Sequence, residues 1–282
     1  MRRADAAASL AGMKHPVPAA AERPTGEARR LNLLSCNILA GGSVRRYRDY
    51  VTHSWKHVLP TGKRANLDGL ARVIGEFDLV GLQEADAGSL RSGFLNQTQY
   101  LAEAAAFPFW SHQPNRRVSR LATSSNGLLA RMQPDEVLDY PLPGRIPGRG
   151  ALWARFGEGE RALIVVIAHL ALGPAARMRQ LGFIAELLGH HPNVVLMGDL
   201  NTPPSSAELK MLYSKTALEP PHESPATFPS WRPTRAIDHI LVSGSIEVEK
   251  RWALSHPVSD HLPVAASIRL PVGLGTATKM PG

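Results

Sequence analysis

The stretch from Asn193 to Asn201, NVVLMGDLN, decides how the rest of this 282-residue chain is read. Four apolar residues, Val194, Val195, Leu196 and Met197, run unbroken between Pro192–Asn193 and Gly198. A run this short, bounded by proline and glycine, reads as a fully buried strand rather than a helix. Residues i and i+2 of a strand share a face, so Asp199 and Asn201 project together from its end if the extended geometry persists. A base or metal ligand beside a neutral hydrogen-bond donor suits attack on a phosphate. A strand running into an Asp–Asn turn reads the same way, so the rest of the chain has to choose.

Length and composition bound the answer. No composition break divides the chain internally, so one catalytic domain is expected over residues 30–271. Before it lies a disordered tail, residues 1–29, rich in Ala and carrying Pro16, Pro18 and Pro24; after it comes a flexible tail at 272–282. Arg2 and Arg3 are not followed by an apolar core long enough for a signal peptide. No segment approaches the ~20 apolar residues of a membrane span, and a soluble, cytoplasmic protein is expected. The single cysteine, Cys36, forbids an intrachain disulfide and sits in LNLLSCNIL as a buried strand residue.

Net charge is +8. Residues 45–64 concentrate it: Arg45, Arg46, Arg48, Lys56, Lys63 and Arg64 are opposed only by Asp49, with Tyr47, Tyr50 and Trp55 among them. That mixture suits a polyanion or phosphate surface, although a solvated basic loop would have the same composition.

Apolar runs alternate with amphipathic stretches. Strands are expected at 31–39, 77–83, 127–131, 152–156, 163–169, 194–199, 237–242, 246–253 and 263–270. Helices are expected at about 67–76, where Leu67, Leu70, Ala71 and Ile74 recur with helical spacing, and at about 175–189. A short helix capped by Ser205 or Ser206 should run to Tyr213. Long loops are expected at 40–64, 111–125, 140–150 and 219–235.

Polar groups collect where strands end. Asn37 ends one apolar run, Glu84 closes FDLVGLQE, His169 closes LIVVIAH, and Asp260–His261 precede LPVAASI; Asp238 lies just inside AIDHILV. The mouths of sheets are where loops converge over a rigid scaffold and pockets form. Each residue alone has a plain structural reading: a turn, a solvated strand end, a satisfied core histidine. Their joint occurrence is harder to explain that way. The chain has no CxxC, HExxH, GxxxxGK[ST] or GxSxG, which argues against zinc, P-loop and serine-elbow chemistry. Carboxylates and amides are hard oxygen ligands suited to Mg²⁺ or Mn²⁺.

Taken in order, Asn37, LQE ending at Glu84, Asn126–Gly127, AHL around His169, GDLN at 198–201, TFP at 227–229, IDHI around Asp238 and SDHLP at 259–263 resemble the endonuclease/exonuclease/phosphatase superfamily. The resemblance spans about residues 31–270. It implies an α/β (α+β) fold, a four-layered α-β-β-α sandwich of two mostly antiparallel sheets with outer helices. It also implies phosphoester cleavage with a divalent cation, usually Mg²⁺.

Carried onto this sequence, the resemblance makes Glu84, helped by Asn37 and Asp260, the metal ligand set. Asp199 is similar to the group that activates the attacking water, and Asn201 to the donor on a phosphate oxygen. His261, oriented by Asp238, resembles the imidazole at the scissile phosphate, and His169 the imidazole on the leaving-group side. Asn126, Arg45, Lys56 and Arg64 are the expected substrate contacts. His239 is expected behind the site, and Glu76, Asp78 and Asp86 as surface charges. Leu39 and His169 stand where abasic-site endonucleases carry an acid and a tyrosine, which disfavours that branch. The expectation is a Mg²⁺-dependent phosphodiesterase, with a nuclease of low sequence specificity favoured and nucleic acid as partner. The rivals are a phospholipid or sphingolipid phosphodiesterase, using Phe107, Phe109 and Trp110 to enter a bilayer, a small-molecule phosphatase, and a binding scaffold without activity.

Overall fold

The apolar runs become the inner strands of two facing sheets in the computed structural model, which describes residues 28–38, 63–89, 94–118, 122–144, 148–189, 191–256 and 259–275. The first sheet contains β1 (Arg29–Asn37), β2 (Leu79–Asp86), β3 (Phe109–Val118), β4 (Ala122–Ala130), β10 (Glu247–Ala253) and β11 (Val264–Leu270), in the order β10-β11-β1-β2-β4-β3. The second contains β5 (Glu136–Pro141), β6 (Gly150–Phe156), β7 (Leu163–His169), β8 (Val194–Asp199) and β9 (Asp238–Val242), in sequence order. Only β1–β2 and β7–β8 pair in parallel; every other ladder is antiparallel.

Alternation along the strands sorts side chains into layers. Leu33, Leu79, Leu128, Leu152, Ile167, Met197, Ile240 and Val264 face inward and fill the space between the sheets. On the outer face of the first sheet, Leu34, Val80 and Leu129 meet Leu67, Leu70 and Ile74 of α1 (Lys63–Ile74) and Leu101 of α2 (Gln97–Ala104). On the outer face of the second, Val166 and Leu196 meet Leu181 and Ile184 of α3 (Pro174–Leu188) and Leu209 and Leu212 of α4 (Ala207–Lys215). This is the four-layered sandwich expected from the sequence. Burying each such Leu or Ile side chain contributes about 1.5–3 kcal/mol, so the three apolar layers supply the drive to stack. Ser206 caps α4 as expected, accepting from the Leu209 amide at 3.2 Å.

The structure corrects the sequence reading at several points. Residues 111–125, expected as a loop, lie largely in the hairpin strands β3 and β4, and β5 and α2 are elements that the sequence reading lacks. The β3 segment carries Pro114 and polar residues, and β5 is a half-exposed edge strand, so neither shows an apolar run. Asp86 is not a surface charge. It is buried, and its carboxylate accepts from the Gly88 and Ser89 amides at 3.0 and 2.7 Å and from Ser89 Oγ at 2.5 Å, closing the turn after β2. Asp78 caps the sheet instead of facing bulk water, accepting from the Asn32 amide at 2.8 Å. Arg45 and Lys56 lie outside the described residues, as does the side chain of Arg64.

Two backbone features aim the strand ends. Between Leu82, opposite Gly127, and Ala85, opposite Ser125, β2 inserts Gln83 and Glu84 against Asn126 alone. That bulge puts Glu84 at φ 58° and turns its carboxylate away from the regular alternation. Gly198 has φ 148°, and a Cβ there would lie 1.8 Å from the Ala168 carbonyl oxygen. Only glycine lets β8 approach β7 so closely one residue before Asp199.

Candidate active site

Strand register brings together residues far apart in sequence. Asp199 pairs with His169 across the parallel β7–β8 ladder and with Asp238 across the antiparallel β8–β9 ladder. All three point inward, beyond the last apolar layer. From the first sheet, Asn37 pairs with Gln83 at the end of the parallel β1–β2 ladder, next to Glu84.

Asp199 is the focus of the cluster. Its Oδ2 accepts from Asn37 Nδ2 at 3.2 Å and lies 3.4 Å from His169 Nε2 and 3.8 Å from His261 Nε2; its Oδ1 accepts from the Asn201 amide at 3.0 Å. His169 Nε2 is also 3.8 Å from Glu84 Oε1, which joins the two sheets across the site. His261 Nδ1 meets Asp238 at 2.8 and 3.1 Å, and Thr227 Oγ1 donates to Asp238 Oδ2 at 2.5 Å. Asn201, at φ 53°, donates from Nδ2 to the Leu170 carbonyl at 3.0 Å, so one hydrogen of that amide group is not engaged by this bond. The backbone of the final loop is fixed by Ser259, whose Oγ donates to the Asn37 carbonyl at 2.6 Å and accepts from the His261 amide at 3.0 Å.

Burial sets the protonation tendencies. Desolvation is the largest influence on Asp199 and, with the nearby Asp238 charge, pushes its carboxyl up to about 7 against the opposing pull of His261 and the Asn201 amide. Glu84 is raised by burial and by Asp260, with Arg149, His261 and the Asn37 hydrogen bond resisting. Burial, with the charges of Arg149 and His261, holds His169 well below the usual imidazole range. Burial works against a charged His261 too, but Asp238, through charge and hydrogen bond, together with Asp199 and Asp260, overcomes it and raises the imidazole to about 10. These surroundings favour the neutral form of His169 and the protonated form of His261, and they disfavour the anions of Asp199 and Glu84.

Burial first, and neighbouring carboxylates after it, disfavour the charged forms of Asp199 and Glu84, and a bound divalent cation would favour them again. Among the described residues, ligand atoms of Asp199, Asp238 and His261 lie within 4.8 Å of one another and could hold a metal ion. Asp238 and the His261 Nδ1 are already engaged with each other. Glu84, partly exposed and beside Asn37, offers oxygen ligands without breaking that pair.

Further groups support the cluster from behind. Asn126 is wholly buried; its Nδ2 donates to the Gly150 carbonyl at 2.8 Å and faces Gln113 Oε1 at 3.2 Å. Gln113 in turn donates to the Tyr140 and Ala151 carbonyls at 3.0 and 3.3 Å. This carboxamide pair fastens the first sheet to the start of β6, and next to it stands Arg149, whose charge reaches Glu84 and His169. Four of these groups are absent from the sequence-based site. Thr227 and Ser259 lie within the motifs TFP and SDHLP, which could have pointed to them; nothing local in the sequence marks Gln113 or Arg149. His239 points the other way from Asp238, with Nε2 2.8 Å from the Thr202 carbonyl.

Residues 34–261, which include every one of these strand ends, match the model of the endonuclease/exonuclease/phosphatase family. The chain belongs to that family. It is a family of phosphoester hydrolases. Solved structures agree on the fold. A family member from Bacteroides thetaiotaomicron is 19% identical with a TM-score of 0.65, the match covering 87% of this chain and 99% of that one. A mannosyl-6-phosphatase from the same organism is 19% identical with a TM-score of 0.62, covering 84% and 99%. D. rerio TDP2 complexed with single strand DNA product is 15% identical with a TM-score of 0.60, covering 85% and 98%. No curated protein matches the chain in sequence. Among the described residues of this family member, no helix is long and apolar enough to cross a membrane.

Proposed function

We propose that this family member is a divalent-metal-dependent phosphodiesterase acting on nucleic acid with little sequence preference. The observation that carries the reading is the convergence on Asp199 of Asn37, His169, Asn201 and the Asp238–His261 pair, each delivered by a different strand end. A hard cation, Mg²⁺ or Mn²⁺, held by Glu84 with Asn37 and Asp260, would supply positive charge against the phosphate oxygens. Asp199 takes the proton from the attacking water. Asn201 directs an amide hydrogen at a phosphate oxygen, and protonated His261, fixed by Asp238, stabilises the charge that builds on the phosphoryl group. His169 stands beside Asp199 and Glu84 on the leaving-group side. Asn126 acts on substrate indirectly, through the position of Arg149.

The net charge of +8 and the basic segment containing Arg45, Lys56 and Arg64 favour a polyanion. The single strand DNA product bound by the D. rerio fold-mate supports the same choice. Against a bilayer substrate, Phe107 is 6% exposed within the outer core and Phe109 packs on the inner core, which leaves Trp110, exposed and stacked on His112, as a lone surface ring of the three.

The test is hydrolysis of an aryl phosphodiester and of DNA before and after chelation. Activity should vanish in EDTA and return with Mg²⁺ or Mn²⁺. Asp199→Asn should lower turnover roughly 10²–10⁴-fold, the range for removing a general base, with much less change in binding of an uncleaved analogue. Full turnover after exhaustive chelation would rule the mechanism out.

A further inference from the structure

Beside His261 the chain builds a second cationic feature that the phosphodiesterase reading does not use. Residues 227–235 close on themselves: the amides of Thr227 and Phe228 donate to the Arg235 carbonyl at 2.9 and 3.1 Å, and the amides of Thr234 and Arg235 donate to the Phe228 carbonyl at 3.0 Å. The tip is held by the Arg232 amide on the Pro229 carbonyl, 3.0 Å. The same loop is fastened to the His261 segment, through the Ser230 amide on the Asp260 carbonyl (2.8 Å), Ser230 Oγ on the Ser259 carbonyl (2.8 Å) and the Leu262 amide on the Thr227 carbonyl (2.8 Å). Pro229 and Pro233 restrict what backbone freedom is left. These bonds tie the loop to the His261 segment at both its start and its middle.

On this rigid support Phe228 lies between two groups. Its ring centroid is 4.9 Å from that of His261, and the Arg235 guanidinium stands 5.6 Å from it on a cation–π contact. Arg235 and Arg232 are both exposed, and among the described residues neither has an acidic partner. No acidic residue occurs between Pro225 and Ile237. The Arg235 guanidinium therefore sits one aromatic ring away from the imidazole at the reacting phosphate, and Arg232 is exposed three residues earlier on the same loop. Guanidinium forks match phosphate oxygens in geometry as well as charge.

We propose that Arg232 and Arg235 form a subsite for a second phosphate of the substrate, next to the one being cleaved, and that this phosphate belongs to the adjoining nucleotide of a single polynucleotide strand. The proposal rests on the phosphodiesterase reading for the placement of the cleaved phosphate. It differs from the basic segment at residues 45–64, which lies largely outside the described residues, in being tied to the reaction centre through Phe228.

Two readouts test it on the full chain. The first compares the 4-nitrophenyl ester of thymidine 5′-phosphate with the same ester carrying a 3′-phosphate. The wild type should favour the bisphosphorylated ester. Arg232→Gln/Arg235→Gln, which removes both guanidinium charges and keeps every backbone bond, should lose roughly ten- to hundred-fold in kcat/KM on that ester, as for a hydrogen bond to a charged group. The plain ester should change less than about twofold. Arg235→Lys should restore part of the preference, since it returns charge without the fork.

The second readout is fluorescence anisotropy of labelled oligothymidylates in EDTA, which needs no hydrolysis. The double variant should bind more weakly and show a salt slope flatter by about 0.7 for each phosphate it no longer neutralises. Affinity of the wild type should rise from the dinucleotide to the tetranucleotide. A rise with the 3′-phosphate alone and none with length would assign the subsite to a small bisphosphate and overturn the strand. Equal kinetics and equal salt slopes in wild type and double variant would overturn the subsite itself. Failure to hydrolyse either ester, with the anisotropy difference intact, would instead count against the phosphodiesterase reading.

Discussion

Asp238 and His261 should behave as one unit. Asp238 holds the His261 imidazole, with both carboxylate oxygens within 3.1 Å of Nδ1. Asp238→Ala and His261→Ala should each lower turnover by about 10²–10⁴-fold, and the double variant should be little worse than either. Multiplicative losses in a double-mutant cycle on kcat would show that the two act separately. A second prediction at this scale concerns pH. The folded protein holds the Asp199 proton up to about 7, above the ordinary 3.8. Its contribution to stability is thus complete below pH 3.8 and is lost as pH rises through about 7. The raised His261 works in the same sense, complete below 6.5 and lost through about 10. Metal-free protein should therefore lose thermal stability between about pH 5 and about pH 8, and Asp199→Asn should remove part of that fall. Equal slopes for wild type and variant would show that Asp199 ionises freely.

At the scale of strands, the inner β7–β8 pair carries the site and should tolerate least. Gly198→Ala would drive a methyl group into the Ala168 carbonyl, forcing the strands apart directly beneath His169 and Asp199. Ile167→Ala leaves a cavity between the sheets and should cost about 2–5 kcal/mol. Chemical denaturation and turnover separate the two: Ile167→Ala should lose stability more than activity at low temperature, whereas Gly198→Ala should lose activity even where it remains folded. These strands are also the most legible in the sequence. Residues 163–169 and 194–199 read with the bounds the structure gives, because both faces of each strand are buried and the apolar run is continuous. The edge strands β3 and β5 leave no such run. In β3 the inward residue Gln113 serves the polar layer beneath the site instead of the apolar core, so its alternation carries no hydrophobic signal. The short helix α2 is hidden for a related reason, since Gln97 and Thr98 are among the residues it buries.

Across the whole molecule, the residues of the candidate site are readable because most sit where a buried strand starts or stops, and strand ends are visible in sequence. The supporting groups are not, because Gln113, Arg149 and Ser230 act through contacts between segments far apart in the chain. One long-range contact has a further meaning for how the protein comes into being. Strand β1 lies inside its sheet only because β11 covers one side of it, from Arg29 opposite Leu270 to Ser35 opposite Val264. A growing chain meets β1 early and β11 last, so β1 presents an open edge through most of synthesis. His261, three residues before β11, arrives with the strand that closes that edge. A chain ending before Ser259 should therefore lose two things at once, the imidazole of the candidate site and the cover over the β1 edge, and sedimentation of the truncated protein as aggregate would check the second.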